Sequence, residues 1–383
     1  MCPPEMLLFS SKCTVRTSLE FPSIRARISS SLHPEIGGLF ADHMDVKSLC
    51  LWRATCKYNY AQATASLRRS LMKLLSPFLH TPSLLVNLVT EHHALFGGEL
   101  ALAFILRDST YLPRELEIYA SKSSFPDLSD TILRRPNILC IQHTSETIHS
   151  EHYTLRRLIT KTLHIRLTNG LNIHLHSSYN SSAVAGIARS FTTGLSNYVS
   201  GQGFACSHPV LTLHRRALLS DVILDAKSAL DTRVMGNMVT WGFQFAVSPS
   251  TWPEYLICPD NTDIQSPLQC WRSLYMCPSQ GRYFGDPGSF VNYFDLLAGD
   301  ADLCVSRSLP PYGPMLAWRV MTTFPCTDDC DSYDPLVGDG VTSLPLLVTQ
   351  NSLGRPKDVL VDRLLGTRRR EDTGRTRTRS HSL

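Results

Sequence analysis

The chain has 383 residues, of which 43% are hydrophobic, enough to bury a sizeable core and to form two or three domains. Its formal net charge is +4, and six arginines against two acidic residues from Arg368 onward account for all of it. No hydrophobic run approaches the length of a membrane span, which argues against a membrane protein. Twelve cysteines without a dense framework favour free thiols in a reducing, intracellular compartment, cytoplasmic or nuclear.

Residues 1–30 mix serine, arginine, proline and a few apolar residues without a helical or strand period. They predict a disordered leader. Arg16, Arg25 and Arg27 among the serines leave a mitochondrial transit peptide as the alternative, which two glutamates in the same stretch oppose.

A helical hairpin is predicted over residues 32–61. Pro34 suits the first position of a helix because its missing N–H is not needed there. Asp45 is a good N-cap for a second helix. Apolar residues fall on one face of each predicted helix: Ile36, Leu39, Phe40 and Met44 on the first, and Leu49, Trp52, Cys56 and Tyr60 on the second.

This hairpin resembles the F-box, a short motif that opens near Leu-Pro-x-Glu-Ile and closes with Arg-x-x-Cys-Lys, here residues 32–36 and 53–57. F-boxes bind the Skp-type adaptor of cullin–RING ubiquitin ligases through the apolar face of their helices. The resemblance implies that five residues contact the adaptor or support that contact: Pro34, Ile36, Leu39, Leu49 and Trp52. The alternative is an ordinary hairpin with Leu49 and Trp52 in its own core.

Two leucine-rich helices are predicted to follow, and then a turn at Gly97 and Gly98 that opens another helix. The unpaired N–H groups of that helix could receive a phosphate. Residues 115–119 predict a strand, on which Glu115 and Glu117 project from the same face because they lie two positions apart.

This turn, helix and acidic strand resemble the opening of the nucleotidyltransferase fold. The resemblance implies that Glu115 and Glu117 hold Mg²⁺ against a nucleoside triphosphate, with a third carboxylate on a later strand. The strand predicted over residues 173–176, with Asn172 before it, offers only an amide and two imidazoles, His174 and His176, and no acidic residue occurs between positions 152 and 220. Such a site would bind Mg²⁺ weakly. A non-catalytic body is therefore expected, unless another Asp or Glu completes the cluster.

The order of several segments resembles a family of fungal proteins, largely from mushrooms, that carry a nucleotidyltransferase-like domain, sometimes behind an F-box. The resemblance spans roughly residues 90–295, and its segments are 97–119, 190–193, 197–200, 209–212, 215–216, 277–278, 282 and 286–289.

The expected fold is α+β, with a helical head, a mixed sheet with flanking helices and an irregular C-terminal part. The predicted domains are a disordered leader (1–30), an F-box-like region (31–90), a nucleotidyltransferase-like domain (91–295), an irregular extension (296–352) and a polar, basic, disordered tail (353–383).

The function predicted from these elements is a non-catalytic protein-interaction module, in which an F-box-like substrate receptor carries a pseudo-nucleotidyltransferase body. It needs no cofactor, and its partners are a Skp-type adaptor and a protein target. The alternative is a Mg²⁺-dependent nucleotidyltransferase that uses Glu115 and Glu117 with a nucleotide. A weaker alternative is nucleic-acid binding through the cationic stretch 156–216 and the basic tail.

Overall fold

A computed structural model of the protein describes residues 34–108, 111–135, 138–145, 158–179, 181–188, 190–220, 229–255, 271–295, 316–320 and 341–343. The predicted leader, the basic tail and most of the predicted extension lie outside these residues.

The described part is a mixed α+β fold, which confirms the predicted fold class at that level. Its helices are α1 (Pro34–Asp42), α2 (Val46–Arg53), α3 (Lys57–Leu75), α4 (Pro82–Glu91), α5 (Gly98–Leu106), α6 (Phe125–Leu133), α7 (Val184–Ala188), α8 (Pro209–Leu213) and α9 (Ala229–Thr240). Its strands are β1 (Leu95–Gly97), β2 (Glu115–Ala120), β3 (Ile138–Ser145), β4 (Ile159–Leu167), β5 (Asn172–Ser178), β6 (Asn197–Val199), β7 (Gly203–Cys206), β8 (Arg216–Leu218), β9 (Gln244–Ala246), β10 (Phe290–Tyr293), β11 (Leu316–Trp318) and β12 (Val341–Ser343). None of the helices in the described ranges combines the length and apolar character that crossing a bilayer requires.

The main sheet has eight strands in the order β10-β7-β6-β1-β2-β5-β4-β3. β2 and β5 run parallel, and the other neighbours are antiparallel. Alternate side chains of β2, β4 and β5, among them Leu116, Ile165 and Leu175, share one buried cluster with residues of the helices α1 to α6. The other side chains of these strands form the opposite face of the sheet, which is polar.

Local signals place the first helices. Pro34 begins α1 as expected. Asp45 caps α2 by accepting hydrogen bonds of 2.9 Å from the backbone N–H groups of Lys47 and Ser48. The predicted single helix through Cys56 and Tyr60 is wrong, because α2 ends at Arg53. Cys56 adopts an extended backbone, and its sulfur accepts the N–H of Asn59 as the N-cap of α3.

The helical head and the sheet share one core. Leu49 of α2, Leu67 of α3 and Phe104 of α5 are all fully buried and belong to the same hydrophobic cluster as the apolar face of the sheet. The packing therefore continues across the predicted boundary at residue 90. Burying these side chains contributes about 1.5–3 kcal/mol each relative to exposure.

Candidate functional site

The turn between β1 and α5 uses two glycines because side chains of β2 pack against it. Gly98 has a positive φ of 58°, and a Cβ atom there would clash with the carboxylate of Glu117. A Cβ atom on Gly97 would lie 2.5 Å from the ring of Tyr119. These contacts explain both glycines, the candidate phosphate-binding residues, by close packing without any bound phosphate.

The two glutamates of β2 lie on the same polar face, as predicted. The parallel register with β5 places Glu115 beside Asn172 and Glu117 beside His174. On β4, His164 lies opposite His174. We call the surface formed by Glu115, Glu117, Asn172, His164, His174 and His176 the polar face. β5, the strand beside β2, carries the amide and imidazole groups that the sequence indicated.

Glu115 is buried, and one of its carboxylate oxygens, Oε1, meets three protein groups. Arg233 of α9 forms an ion pair with it through Nη2. Asn172 Nδ2 donates a hydrogen bond of 3.3 Å, and Nε2 of His174 lies 3.8 Å away. The guanidinium of Arg233 therefore supplies a positive charge beside Glu115.

Glu117 has a different partner. The hydroxyl of Tyr119 donates to Oε2 of Glu117 over 2.5 Å. Burial and the neighbouring Glu117 charge raise the pKa of Tyr119 well above its usual value, so the phenol keeps its proton and remains a donor.

Glu99 is a third carboxylate beside this pair, and the sequence interpretation missed it. It lies in the first turn of α5 and is buried, and its Oε1 accepts a hydrogen bond of 2.8 Å from Asn237 of α9. Burial raises the pKa of Glu99, and the nearby Glu115 charge raises it further. Its position immediately after the glycine pair was the available signal. The nucleotidyltransferase resemblance implied a third acid only on a later strand.

The three carboxylates do not form a metal site in the arrangement described. Across the described residues, no group of three or more Asp, Glu, His or Cys side chains is placed to hold a metal ion. The donor set gives the physical reason, because Glu99, Glu115 and Glu117 each already accept a hydrogen bond or ion pair from a protein side chain. Each of these bonds engages one oxygen of its carboxylate, and the positive charge of Arg233 at Glu115 repels a second cation, so Mg²⁺ would compete with Arg233 for Glu115.

Two histidines of the polar face, His174 and His176, are neutral at physiological pH. Burial lowers the pKa of His174, and it lowers the pKa of His176 to about 3. The His174 ring packs edge-on against His164 at 4.6 Å between centroids, and His176 stacks on Tyr119 at 4.8 Å. His174 and His176 therefore pack as aromatic groups and add no positive charge to balance the glutamates.

These histidines make stability depend on pH. The folded protein binds fewer protons at His174 and His176 than the unfolded chain, whose histidines titrate near about pH 6.5. The stabilisation is therefore present above about pH 6.5 and is lost as pH falls toward the lowered pKa values. We expect the free energy of unfolding, from urea titrations, to fall by roughly 1–3 kcal/mol between about pH 6.5 and 4 through these groups. His176→Gln should reduce that fall, whereas His80→Gln at an exposed position should not. An unchanged pH profile in His176→Gln would contradict this account.

The head places the candidate adaptor-binding residues in two different environments. Ile36, Leu39 and Phe40 of α1 are 53%, 63% and 53% exposed. Phe40 packs edge-on against the half-buried Trp52 of α2 at 5.9 Å. Leu49 is fully buried, so it can support an interface but cannot contact a partner. Pro34 begins α1 at the edge of the described chain.

We call the surface formed by Ile36, Leu39, Phe40 and Trp52 the head patch. The head patch and the polar face are the two candidate functional surfaces, and they lie on different elements. Comparisons of the chain with protein-family models, with curated proteins and with solved structures found no match.

Proposed function

We propose that this chain is a non-catalytic protein-interaction module. Its head patch docks on a Skp-type adaptor of a cullin–RING ubiquitin ligase. Its body, a pseudo-nucleotidyltransferase, presents a recognition surface to a protein target. The observation that carries the proposal is the exposure of Ile36, Leu39 and Phe40 on one short helix.

The head patch has the character of a docking surface. Three adjacent apolar side chains of α1 face solvent, and Phe40 extends the surface to Trp52 of α2. Exposed apolar side chains that lie together mark interaction sites more often than scattered ones do. An apolar helix face with anchors at positions i, i+3 and i+4 is a common way for one helical protein to engage another.

The contacts of the polar face support the non-catalytic half of the proposal. Arg233 places a guanidinium against Glu115, where phosphoryl transfer would require a divalent cation. Tyr119 and Asn237 engage the other two glutamates. These bonds stabilise the fold and engage one oxygen of each carboxylate.

Replacing Leu39 and Phe40 by aspartate should abolish adaptor binding. Both side chains are exposed, so the change adds charge to the head patch without opening the core. We expect the wild-type chain to retain the adaptor in a pull-down of purified proteins, and the double variant to retain at least about tenfold less, a loss of about 1.4 kcal/mol.

The matched control is Leu84→Asp, at an exposed leucine of α4 outside the head patch, which should leave adaptor recovery unchanged. Leu49→Ala would not be a clean test, because emptying this buried site costs about 2–5 kcal/mol of stability. Failure of the wild-type protein to recover any adaptor would end the proposal.

The position of Glu99 favours a second candidate function, a Mg²⁺-dependent nucleotidyltransferase. With Glu99 beside Glu115, three carboxylates approach the start of α5. In this alternative Glu115 and Glu117 are the metal-binding residues, and the ion would compete with Arg233 for Glu115. Arg233 is half-exposed, so its side chain has room to leave.

Calorimetry separates the two functions. Our proposal predicts no Mg²⁺-dependent binding when ATP or GTP is titrated into the wild-type protein. Metal-dependent binding that Glu117→Ala abolishes would favour the enzyme instead. The control is Glu254→Ala, which removes a surface carboxylate paired with Arg216 and should not affect nucleotide binding.

A further inference from the structure

A groove of about 620 Å³ lies in the head, among α1, α3, the C-terminal end of α5 and the segment that follows α5. Met72, Leu74 and Ala103 contribute apolar surface, and Tyr111 and Leu112 form a wall. Leu112 is exposed. The volume is within the range of about 300–1,000 Å³ typical of ligand clefts, so the groove has room for several side chains.

The α3 side of the groove is cationic. Arg68, Arg69 and Lys73 are all exposed and line it. Arg68 pairs with Asp295 at 2.5 Å and Arg69 with Asp42 at 3.0 Å, with all four side chains roughly half-exposed. In the described part of the chain, Lys73 has no acidic partner. Exposed pairs of this kind contribute only about 0–1 kcal/mol, so an incoming carboxylate can replace them at little cost.

The groove is held in shape by Arg107. This residue ends α5 in a left-handed conformation, with φ of 53°. Its guanidinium donates to the backbone carbonyls of Met44 and Ala41 and to the hydroxyls of Ser66 and Ser70. It thereby ties the end of α1 and α3 to α5. Because the cleft is already ordered, it loses little conformational entropy when a ligand binds.

The spacing of the cations indicates the kind of ligand. Arg69 and Lys73 are four positions apart, so they lie on one face of α3, about 6 Å apart along the helix axis at about 1.5 Å per residue. A single phosphate or carboxylate site would need them to converge on one point. In an extended peptide, alternate side chains on the same face recur every ~6.6 Å, close to the cation spacing.

We propose that this groove binds an extended acidic peptide segment of a partner protein. Acidic residues at alternate positions lie against Arg69 and Lys73, and Arg68 adds positive charge at the edge of the groove. An apolar or aromatic side chain of the peptide packs against Met72 and Leu112. This site is separate from the head patch, so it stands or falls independently of adaptor binding.

The test pans a phage-displayed library of random peptides against the full-length protein. We expect the selected peptides to be enriched in Asp or Glu at alternate positions, together with an apolar or aromatic residue. A labelled selected peptide should then bind the Arg69→Glu/Lys73→Glu variant at least tenfold more weakly in fluorescence polarisation. Leu112→Asp should weaken it as well, because it removes the apolar contact.

The control is Lys47→Glu/Lys122→Glu, which changes the net charge equally at exposed lysines outside the groove and should retain wild-type affinity. Circular dichroism and thermal melting establish that each variant is folded. Selection of no peptides, of peptides without acidic residues, or of peptides that bind the groove variant equally well would overturn the proposal. The competing occupant is a fatty acid, which also combines a carboxylate with an apolar chain. If dodecanoate bound the same groove more tightly than the best peptide, the assignment to a peptide would be overturned.

Discussion

Arg282→Met is expected to lower the free energy of unfolding by about 3–5 kcal/mol, because it leaves the Asp286 carboxylate buried without its charged partner. The side chains of Arg282 and Asp286 are 1% and 0% exposed. Their two hydrogen bonds, from Nε and Nη2 of Arg282, are 2.6 and 3.0 Å long. The same guanidinium donates to the backbone carbonyls of Tyr275 and Ser207. One side chain therefore joins the segment 275–286 to the end of β7, and methionine would remove its donors from all these acceptors.

Urea unfolding followed by tryptophan fluorescence measures this loss. The control is Arg216→Met, which removes a pair with Glu254 nearer the surface and should cost less than about 1 kcal/mol. Adding Asp286→Leu to Arg282→Met should recover part of the stability, because it removes the stranded charge. A loss below about 1 kcal/mol in Arg282→Met would show that the pair is not the buried network described.

Arg53→Met is expected to lower the free energy of unfolding by about 2–4 kcal/mol and to loosen the head from the sheet edge. Arg53 of α2 is buried and donates to the Asn292 side chain over 3.2 Å. It also donates to the backbone carbonyls of Tyr293 and Phe294. Its guanidinium lies 4.4 Å from the ring centroid of Tyr60. Removing it takes the guanidinium donors away from both carbonyls at the end of β10.

Amide hydrogen exchange tests the second part of this prediction. Exchange at residues 290–294 and in α2 should accelerate in Arg53→Met, while exchange in β4 and β5 changes only as far as the global stability does. Arg68→Met, which removes an exposed pair with Asp295, is the matched control and should have little effect. Equal acceleration in all strands would contradict a local role for Arg53 in joining the head to the sheet.

Arg53 and Arg282 are both among the residues on which the sequence resemblances rest. Arg53 and Cys56 belong to the F-box-like pattern, and here one bonds the sheet edge while the other caps α3. Arg282 and Asp286 belong to the fungal-family segments, and here they form a buried ion pair. Structural stabilisation is therefore sufficient to explain these four positions, whatever the function of the chain.

Glu99 is the residue that most favours the alternative function, a Mg²⁺-dependent nucleotidyltransferase. The non-catalytic interpretation depended on the absence of another acid near Glu115 and Glu117, and Glu99 does approach Glu115. It is bonded to Asn237, however, and Arg233 supplies the positive charge at Glu115. The question is therefore whether Mg²⁺ displaces Arg233, which the calorimetric comparison answers directly.

Local signals in the sequence determined the elements of this protein. The Asp45 cap, the proline at the start of α1 and the leucine spacing of α3 and α4 each act within a few residues, so they could be interpreted without the fold. The alternation of β2 likewise predicted that Glu115 and Glu117 share a face, and the register with β5 puts His174 and His176 on that same face.

Only the tertiary structure determined which side chains those residues contact. Asn237 reaches Glu99 across 138 positions of sequence, and Arg233 reaches Glu115 from the same helix, α9. No local pattern encodes such contacts, because they depend on how a distant helix packs over the sheet. Packing of the head helices on the sheet likewise buries Leu49, while Leu39 and Phe40 of the neighbouring helix stay exposed to solvent. Periodicity identifies an apolar face, but the partner available in the fold decides whether that face is covered.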